Sequence, residues 1–473
     1  VHSLQQKIEA RLYWATFFGA LTLYALFPSF LHNFDGVACA IAVELSDKQH
    51  LVHGNHLLYG VAGWLFHQLL GLTGLKISAL FALKLFDMLL GAGGAALLHR
   101  TLKRAHFAEP IPMTCAAGLA VSYGYWLWSL EVQVYALGAF FLICVLQEAL
   151  RDKPSPHRLA LWHGLAMLTH GANVLLTPVV LYALWRANED ATKLRRAVGR
   201  YLVLAAAMVI IVYAAAIAWW VGAEDWAALK TWLLGSAALG PGRSFNFITG
   251  NLFANLRHWV IGSGEAVSPW AWLGLPLWLA AMWVLPHREG EDRRLALTAW
   301  LWLPAYALLF TQWQPGVLVY RVSDLIPLWL LAAVAAQRLP KKWRRLLPAY
   351  VAVLFAVNLA VGIGRWSDPQ ANNKLQDAYW MSAATPENAW IAAIGRDEVY
   401  YPYFAHRRTL NLRWYDGQPQ RLAQRIATIL EESPLYITSE RLNNTPYFPK
   451  TVSLRIAGKR GDTVLLEITG IAQ

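Results

Sequence analysis

The sequence predicts a mainly helical, polytopic membrane protein that ends in a small water-soluble α/β domain. Three observations predict it. Of 473 residues, 57% are hydrophobic and only 15% charged, with a mean hydropathy of +0.35; a soluble domain carries about 25% charged residues. Apolar stretches near the length needed to cross a bilayer, about 20 residues, recur along the chain. Composition then changes at about Arg365, and the remainder has the mixed polarity of a soluble fold.

The elements follow in order. After a basic lead, Gln5–Arg11, residues Leu12–Leu31 form the first expected span. The chain begins at Val1, so its start is expected to have been processed or trimmed, and the first span lacks the small-residue pattern of a cleaved signal. His32–Asn55 is polar. His56–Leu72 is apolar but contains His67 and Gln68, which suits a helix lying at the interface. Further spans are expected over Leu75–Leu98, Pro110–Trp128 and Leu130–Leu150. Leu159–Trp185 is too long for one upright helix and is expected to break near His170–Gly171. Tyr201–Val221 spans again. Glu224–Ser268 is a long loop with Gly, Pro and Asn. Spans are expected over Pro269–Leu285, Leu295–Phe310, Leu325–Ala336 and Leu346–Ile363. With the broken pair counted as two, about eleven spans result.

Basic clusters fall on alternate connections, after Leu98, Leu150, Trp185, Leu285 and Ala336. Lys and Arg gather in cytoplasmic loops, so these connections and the N-terminus are expected inside. His32–Asn55, Glu224–Ser268, Thr311–Ser323 and the C-terminal domain are then outside, on the periplasmic side of a bacterial inner membrane. The formal charge of +12 is thereby explained without a nucleic-acid partner. Cys39, Cys115 and Cys144 are scattered, with neither a metal spacing nor a disulfide framework.

Residues 1–364 are expected to form the membrane module and 365–473 the outer domain. In the latter, Asn388–Ile394, Thr409–Leu412 and Leu435–Thr438 read as strands. Gln418–Glu432 reads as an amphipathic helix with Leu422, Ile426 and Leu430 on one face. Val452–Ala457 and Thr463–Thr469 read as a hairpin.

The polar residues beside apolar segments carry the chemistry. Asp35 sits in the apolar frame Phe34-Asp35-Gly36-Val37. Glu44 follows nine residues later, about two and a half helical turns and on the opposite face. His53 and His56 bracket an HGNH loop suited to a phosphate, a sugar hydroxyl or a metal. A divalent cation bridged by Asp35 and Glu44 is an alternative that the sequence does not specifically indicate. Glu131 and Tyr135 lie in WSLEVQVYAL, where helical spacing sets Tyr135 one turn below Glu131. His170 lies in MLTHGAN, and Arg321 and Asp324 in YRVSDLIP. Arg243, Arg257 and His258 lie in the long loop. An ionisable group at membrane depth is costly unless paired or wetted, and the expected topology turns all of these toward one outer chamber.

Four segments in the same order carry a resemblance: FDGVACAIAVE, HGNHLLYGVAGWLF, YWLWSLEVQVYAL and GLAMLTHGANVLL. Together they resemble the GT-C superfamily of polytopic glycosyltransferases. More narrowly, they resemble its branch with a DUF2723-type module, related to TMEM-type protein O-mannosyltransferases. The match covers roughly Leu12–Pro178. HGNHLLY lacks that branch's prolines, and EVQVYAL has two more residues than its EVYAL.

The resemblance implies transfer of a sugar from a polyprenyl-phosphate donor to a hydroxyl on a glycan, lipid or protein acceptor at the outer face of the bilayer. In an inverting transfer Asp35 would be the catalytic base, within about 3 Å of the attacking hydroxyl, or the carboxylate that positions the acceptor. Glu44, Glu131 and Tyr135 would orient sugar or acceptor, and His170 would touch one of them. His53, His56, Arg257 and Arg321 would meet the leaving phosphate, which needs positive charge. A ligase or polymerase acting on lipid-linked glycans is one alternative, with its basic groups in a large mid-chain loop. A lipid or sugar transporter is another, but the paired, matching halves common in transporters are not seen.

Overall fold

The computed structural model describes residues 2–222, 225–234, 269–284, 291–312 and 318–471. The chain divides into two compact units. One comprises residues 1–29 and 42–367, the other residues 30–41 and 368–473.

The first unit is helical. α1 (His2–Leu26) is followed, after α2 (Phe34–Leu45), by α3 (Lys48–Leu51), α4 (Leu57–Gly71) and α5 (Ala79–Arg104). The 26 residues of α5 are about 39 Å long, and α1, α4, α6, α7 and α8 all lie against it. Its start is secured twice: Ser78 Oγ accepts the Phe81 N–H at 3.3 Å, and Glu44 Oε1 accepts the Ala79 N–H at 3.0 Å. Its middle, Gly91 to Ala96, is wholly buried. A Cβ on Gly94 would collide with the Tyr125 hydroxyl, so the glycine permits that close packing.

α6 (Ile111–Val121) and α7 (Tyr123–Leu130) are separated by Ser122. α7 meets α8 (Val134–Ala149) at 119° across residues Glu131–Gln133. α9 (Pro156–Thr169) ends at His170, a 3-10 turn runs over Gly171–Leu176, and α10 (Thr177–Ala187) follows. The expected break is therefore present. α11 (Ala191–Ala216), capped by Asp190 on the Thr192 and Lys193 amides, continues through Ile217–Val221. α12 (Trp226–Leu234) lies where a loop was expected. Further helices then run over Leu275–Trp283, Glu291–Gln312, Val322–Arg338 and Leu346–Val357.

Among the described residues, four helices are long and apolar enough to cross a membrane: Ala79–Arg104, Ala191–Val221, Val319–Arg338 and Trp343–Trp366. The number is five if the bent α7–α8 pair is one span. The expected count of about eleven is not confirmed. Several apolar stretches are cut into pieces such as Ile111–Val121 and Trp272–Trp283; eleven helical residues reach only about 16 Å.

The second unit is built on a five-stranded sheet in the order β2-β1-β3-β5-β4: β1 Trp390–Ala393, β2 Arg408–Asn411, β3 Leu435–Thr438, β4 Val452–Arg460 and β5 Thr463–Ile471. β1 pairs in parallel with β2 and β3, and β5 runs antiparallel to β3 and β4. The strands, the hairpin and the helix Pro419–Glu432 all lie where the sequence predicts. Side chains alternate faces along a strand. Ala392, Leu435 and Ile437 meet Leu422, Ile426 and Ile429 of that helix, whereas Ile391, Ala393 and Tyr436 belong to a second core with Leu375, Ala378 and Met381. Val37 of α2 is buried in this second core. The link before α2 is held by Asn372, whose Nδ2 donates to the Phe30 and Leu31 carbonyls at 2.7 and 3.0 Å, and by the Tyr400 hydroxyl on the Leu31 and His32 carbonyls.

Candidate active site

Among the described residues of the first unit, two polar clusters contain residues singled out from sequence. The first is centred on Lys84, inside the otherwise apolar start of α5. Its ammonium lies 3.1 Å from Glu131 Oε1 and donates also to the Ser29 carbonyl. Glu131 is wholly buried in the α7–α8 bend. One turn along α5, Asp87 Oδ2 accepts the Tyr59 hydroxyl at 2.5 Å and the Gln133 N–H at 3.2 Å. The bend thus delivers a carboxylate to Lys84 and a backbone donor to Asp87. An ammonium carries three donors; two have partners among the described residues, and Lys84 keeps 13% of its side chain exposed.

The second cluster is a chain of rings. His53 stacks on His56 at 5.1 Å between centroids, and His56 lies 4.8 Å from His170. His170 is 5.7 Å from Tyr135 and 6.4 Å from Tyr320, and Tyr320 stacks on Phe310 at 4.8 Å. Backbone bonds hold the HGNH loop: the Gly54 carbonyl accepts the Tyr213 hydroxyl at 2.6 Å, and the Asn55 carbonyl accepts the Gly171 N–H at 3.2 Å. A narrow cleft lies beside His170, lined by Tyr135, Asn173, Tyr306, Phe310 and Tyr320. Burial, together with the nearby His170 and His53 rings, holds His56 well below the usual imidazole range, so it is neutral at pH 7. Arg321 is buried, 3.0 Å from Asp324, with its guanidinium 4.9 Å from the Phe310 ring centre.

The chain is similar over almost its whole length to two solved structures of ArnT from Cupriavidus metallidurans. Against the one bound to undecaprenyl phosphate, the TM-score is 0.65 at 14% identity, covering 99% of this chain and 98% of that one. The apo form gives 0.64 at 14%, covering 98% of each chain. The chain has the fold of ArnT. It is similar also to the arabinofuranosyltransferase AftD from Mycobacteria, at a TM-score of 0.51 and 15% identity, covering 98% of this chain and 42% of that one. No family model and no curated protein matches the chain, and the narrower DUF2723 branch is not confirmed.

On this ArnT-like fold the residues expected from sequence fall into groups. His53, His56, Tyr135 and His170 come together in the ring chain. Glu131 meets Lys84 instead, because Glu131–Gln133 is not helical; Val132 and Gln133, the two additional residues of EVQVYAL, lie in the bend, so Tyr135 is not one helical turn below Glu131. Glu44 is engaged at the start of α5. Asp35 is exposed in the first turn of α2, within the second unit. Asp35 and Glu44 share one continuous helix nine positions apart, about 13 Å along its axis and on opposite faces; that separation does not suit a bridged cation. Among the described residues no group of three or more His, Cys, Asp or Glu could hold a metal. Arg257, like Arg243 and His258, lies outside the described residues.

Lys84 and Asp87 were not among the residues singled out from sequence. Their signal is plain in retrospect: in ALFALKLFDMLL they are two opposite charges three residues apart inside an apolar span, and a charge within a span marks function by default.

Proposed function

We propose that the protein transfers a glycosyl group from a polyprenyl-phosphate donor to an acceptor hydroxyl, with inversion, at the outer face of a bacterial inner membrane. The observation that carries this reading is Lys84: a cation at membrane depth, with one donor unused among the described residues, in a chain whose fold is that of a protein solved with undecaprenyl phosphate. In the transfer, the bond between the anomeric carbon and the phosphate oxygen breaks as the acceptor oxygen attacks. The departing phosphate gains negative charge, which a pre-placed ammonium neutralises. Glu131 and the Ser29 carbonyl hold that ammonium in position. The acceptor proton passes to a carboxylate base, the role assigned to Asp35. The ring chain from His53 to Tyr320 offers flat faces and ring N–H and O–H groups of the kind that bind sugar hydroxyls.

The test is transfer from a labelled undecaprenyl-phosphate sugar by the purified full-length chain. Asp35→Asn is expected to abolish turnover while lipid binding persists, and Lys84→Ala to lose both. Turnover at the parent rate in both variants would overturn the assignment.

A further inference from the structure

We infer that the Arg- and Lys-rich end of the first unit holds a second anion site, built for a phosphate-bearing group and separate from the Lys84 cluster. A cavity of about 650 Å³ opens where α5 and α8 end and the helix Glu291–Gln312 begins; Thr101, Arg104, Gln147, Arg151, Lys153 and Arg294 are among its lining residues. Among the described residues its lining carries four permanent cations and one carboxylate, Asp152. That carboxylate is already engaged by Arg294 Nη1 at 2.7 Å.

The neighbouring charges do not neutralise the rest. Glu148 is shared between Arg158 at 3.2 Å and Arg151 at 3.6 Å, and it also accepts the Ser155 N–H. Arg186 has Nη2 on the Ala149 and Arg151 carbonyls, where it closes the end of α8. Among the described residues neither Arg104 nor Lys153 has an ion-pair partner. Two buried donors, Gln147 Nε2 and Arg294 Nε, likewise have no hydrogen-bond partner among the described residues. Unsatisfied buried donors are costly, and several cations around one cavity repel each other. An anionic ligand with several acceptor oxygens relieves both.

The chemistry favours phosphate. Guanidinium groups match its geometry with paired N–H bonds, and basic pockets between helices at this side of a membrane accept phospholipid headgroups. The volume lies within the range of about 300–1,000 Å³ that takes whole small ligands, so a phosphate can enter with its neighbouring glycerol or sugar. Lys84 and Arg104 are twenty positions apart on one helix, about 30 Å, so one headgroup cannot reach both. The phosphate can come from an anionic phospholipid or from a soluble phosphate.

The experiment is native mass spectrometry of the delipidated full-length protein in detergent. It is titrated separately with phosphatidylglycerol, with phosphatidylcholine as the lipid control, and with inorganic pyrophosphate. The proposal expects saturable binding of phosphatidylglycerol or of pyrophosphate, the responding arm naming the source. That binding is expected to weaken at least tenfold in Arg104→Gln/Lys153→Gln, two exposed positions, and to persist in Lys84→Ala. Lys153→Glu alone repeats the reading if the double variant does not fold. Binding of neither anion, equal binding of phosphatidylcholine, or binding unchanged by the substitutions would overturn it.

Discussion

Lys84 Nζ lies 3.1 Å from Glu131 Oε1, with the lysine side chain 13% exposed and the glutamate 1%. The pair joins α5 to the α7–α8 bend. A buried ion pair contributes little net stability, but removing one partner strands the other charge.

Lys84→Met is therefore expected to destabilise the protein by roughly 3–5 kcal/mol, and Lys84→Met/Glu131→Gln to recover much of that loss because no buried charge remains. Thermal unfolding of the parent, the two single variants and the double variant measures the coupling. Strictly additive single effects would mean that the pair is not coupled.

The same double variant separates stability from binding. It is expected to remain folded yet bind undecaprenyl phosphate about ten- to hundredfold more weakly, the worth of one charge-assisted hydrogen bond at about 1.5–3 kcal/mol. A binding isotherm at the parent affinity would remove Lys84 from the phosphate site.

His56 supplies a pH dependence. Its imidazole is held below its ordinary value by burial and by the facing His170 and His53 rings, against the opposing effect of hydrogen bonding to the Thr169 and Asn55 backbone. Between the depressed folded value and the unfolded value near 6.5, the unfolded chain binds the extra proton, so stability rises with pH. The contribution is complete above about pH 6.5 and is lost as pH falls below it. The melting temperature of the parent is expected to drop between pH 6.5 and 5, and His56→Gln to flatten part of that slope. An identical slope in both would show that His56 does not titrate in this window.

Gly118 on α6 lies under the Trp329 ring, and an added Cβ would overlap the ring atoms. Trp329 is wholly buried, and its Nε1 donates to Ser122 Oγ at 3.0 Å, so it has little freedom to retreat. Gly118→Ala is expected to cost about 1–3 kcal/mol, read as a lower melting temperature. An unchanged melt would show that the contact relaxes freely.

In the second unit, Ile426 is fully buried between the helix Pro419–Glu432 and the sheet. Ile426→Ala is expected to cost about 2–5 kcal/mol. Limited proteolysis of the full chain should then cut first within residues 368–473; a parent-like digestion pattern would contradict this.

The strands, hairpin and amphipathic helix of the second unit were legible because period-2 and period-3.6 patterns are local and its surface is exposed to water. The break at His170–Gly171 was legible from length: the apolar run is too long for one upright helix, and Gly171 permits the bend. Span number was not, since one bilayer-length helix and two shorter helices separated by Ser122 have the same composition.

By itself the sequence determined the helical class and the placement of a small sheet after Arg365. Only the tertiary structure decided that Glu131 meets Lys84 rather than standing over Tyr135, and that Phe30–Ile41 belongs with the C-terminal residues. Periodicity records which face of one element is apolar. The partner of a buried charge is chosen by how a bend such as Glu131–Gln133 aims it, and that is a property of several elements at once.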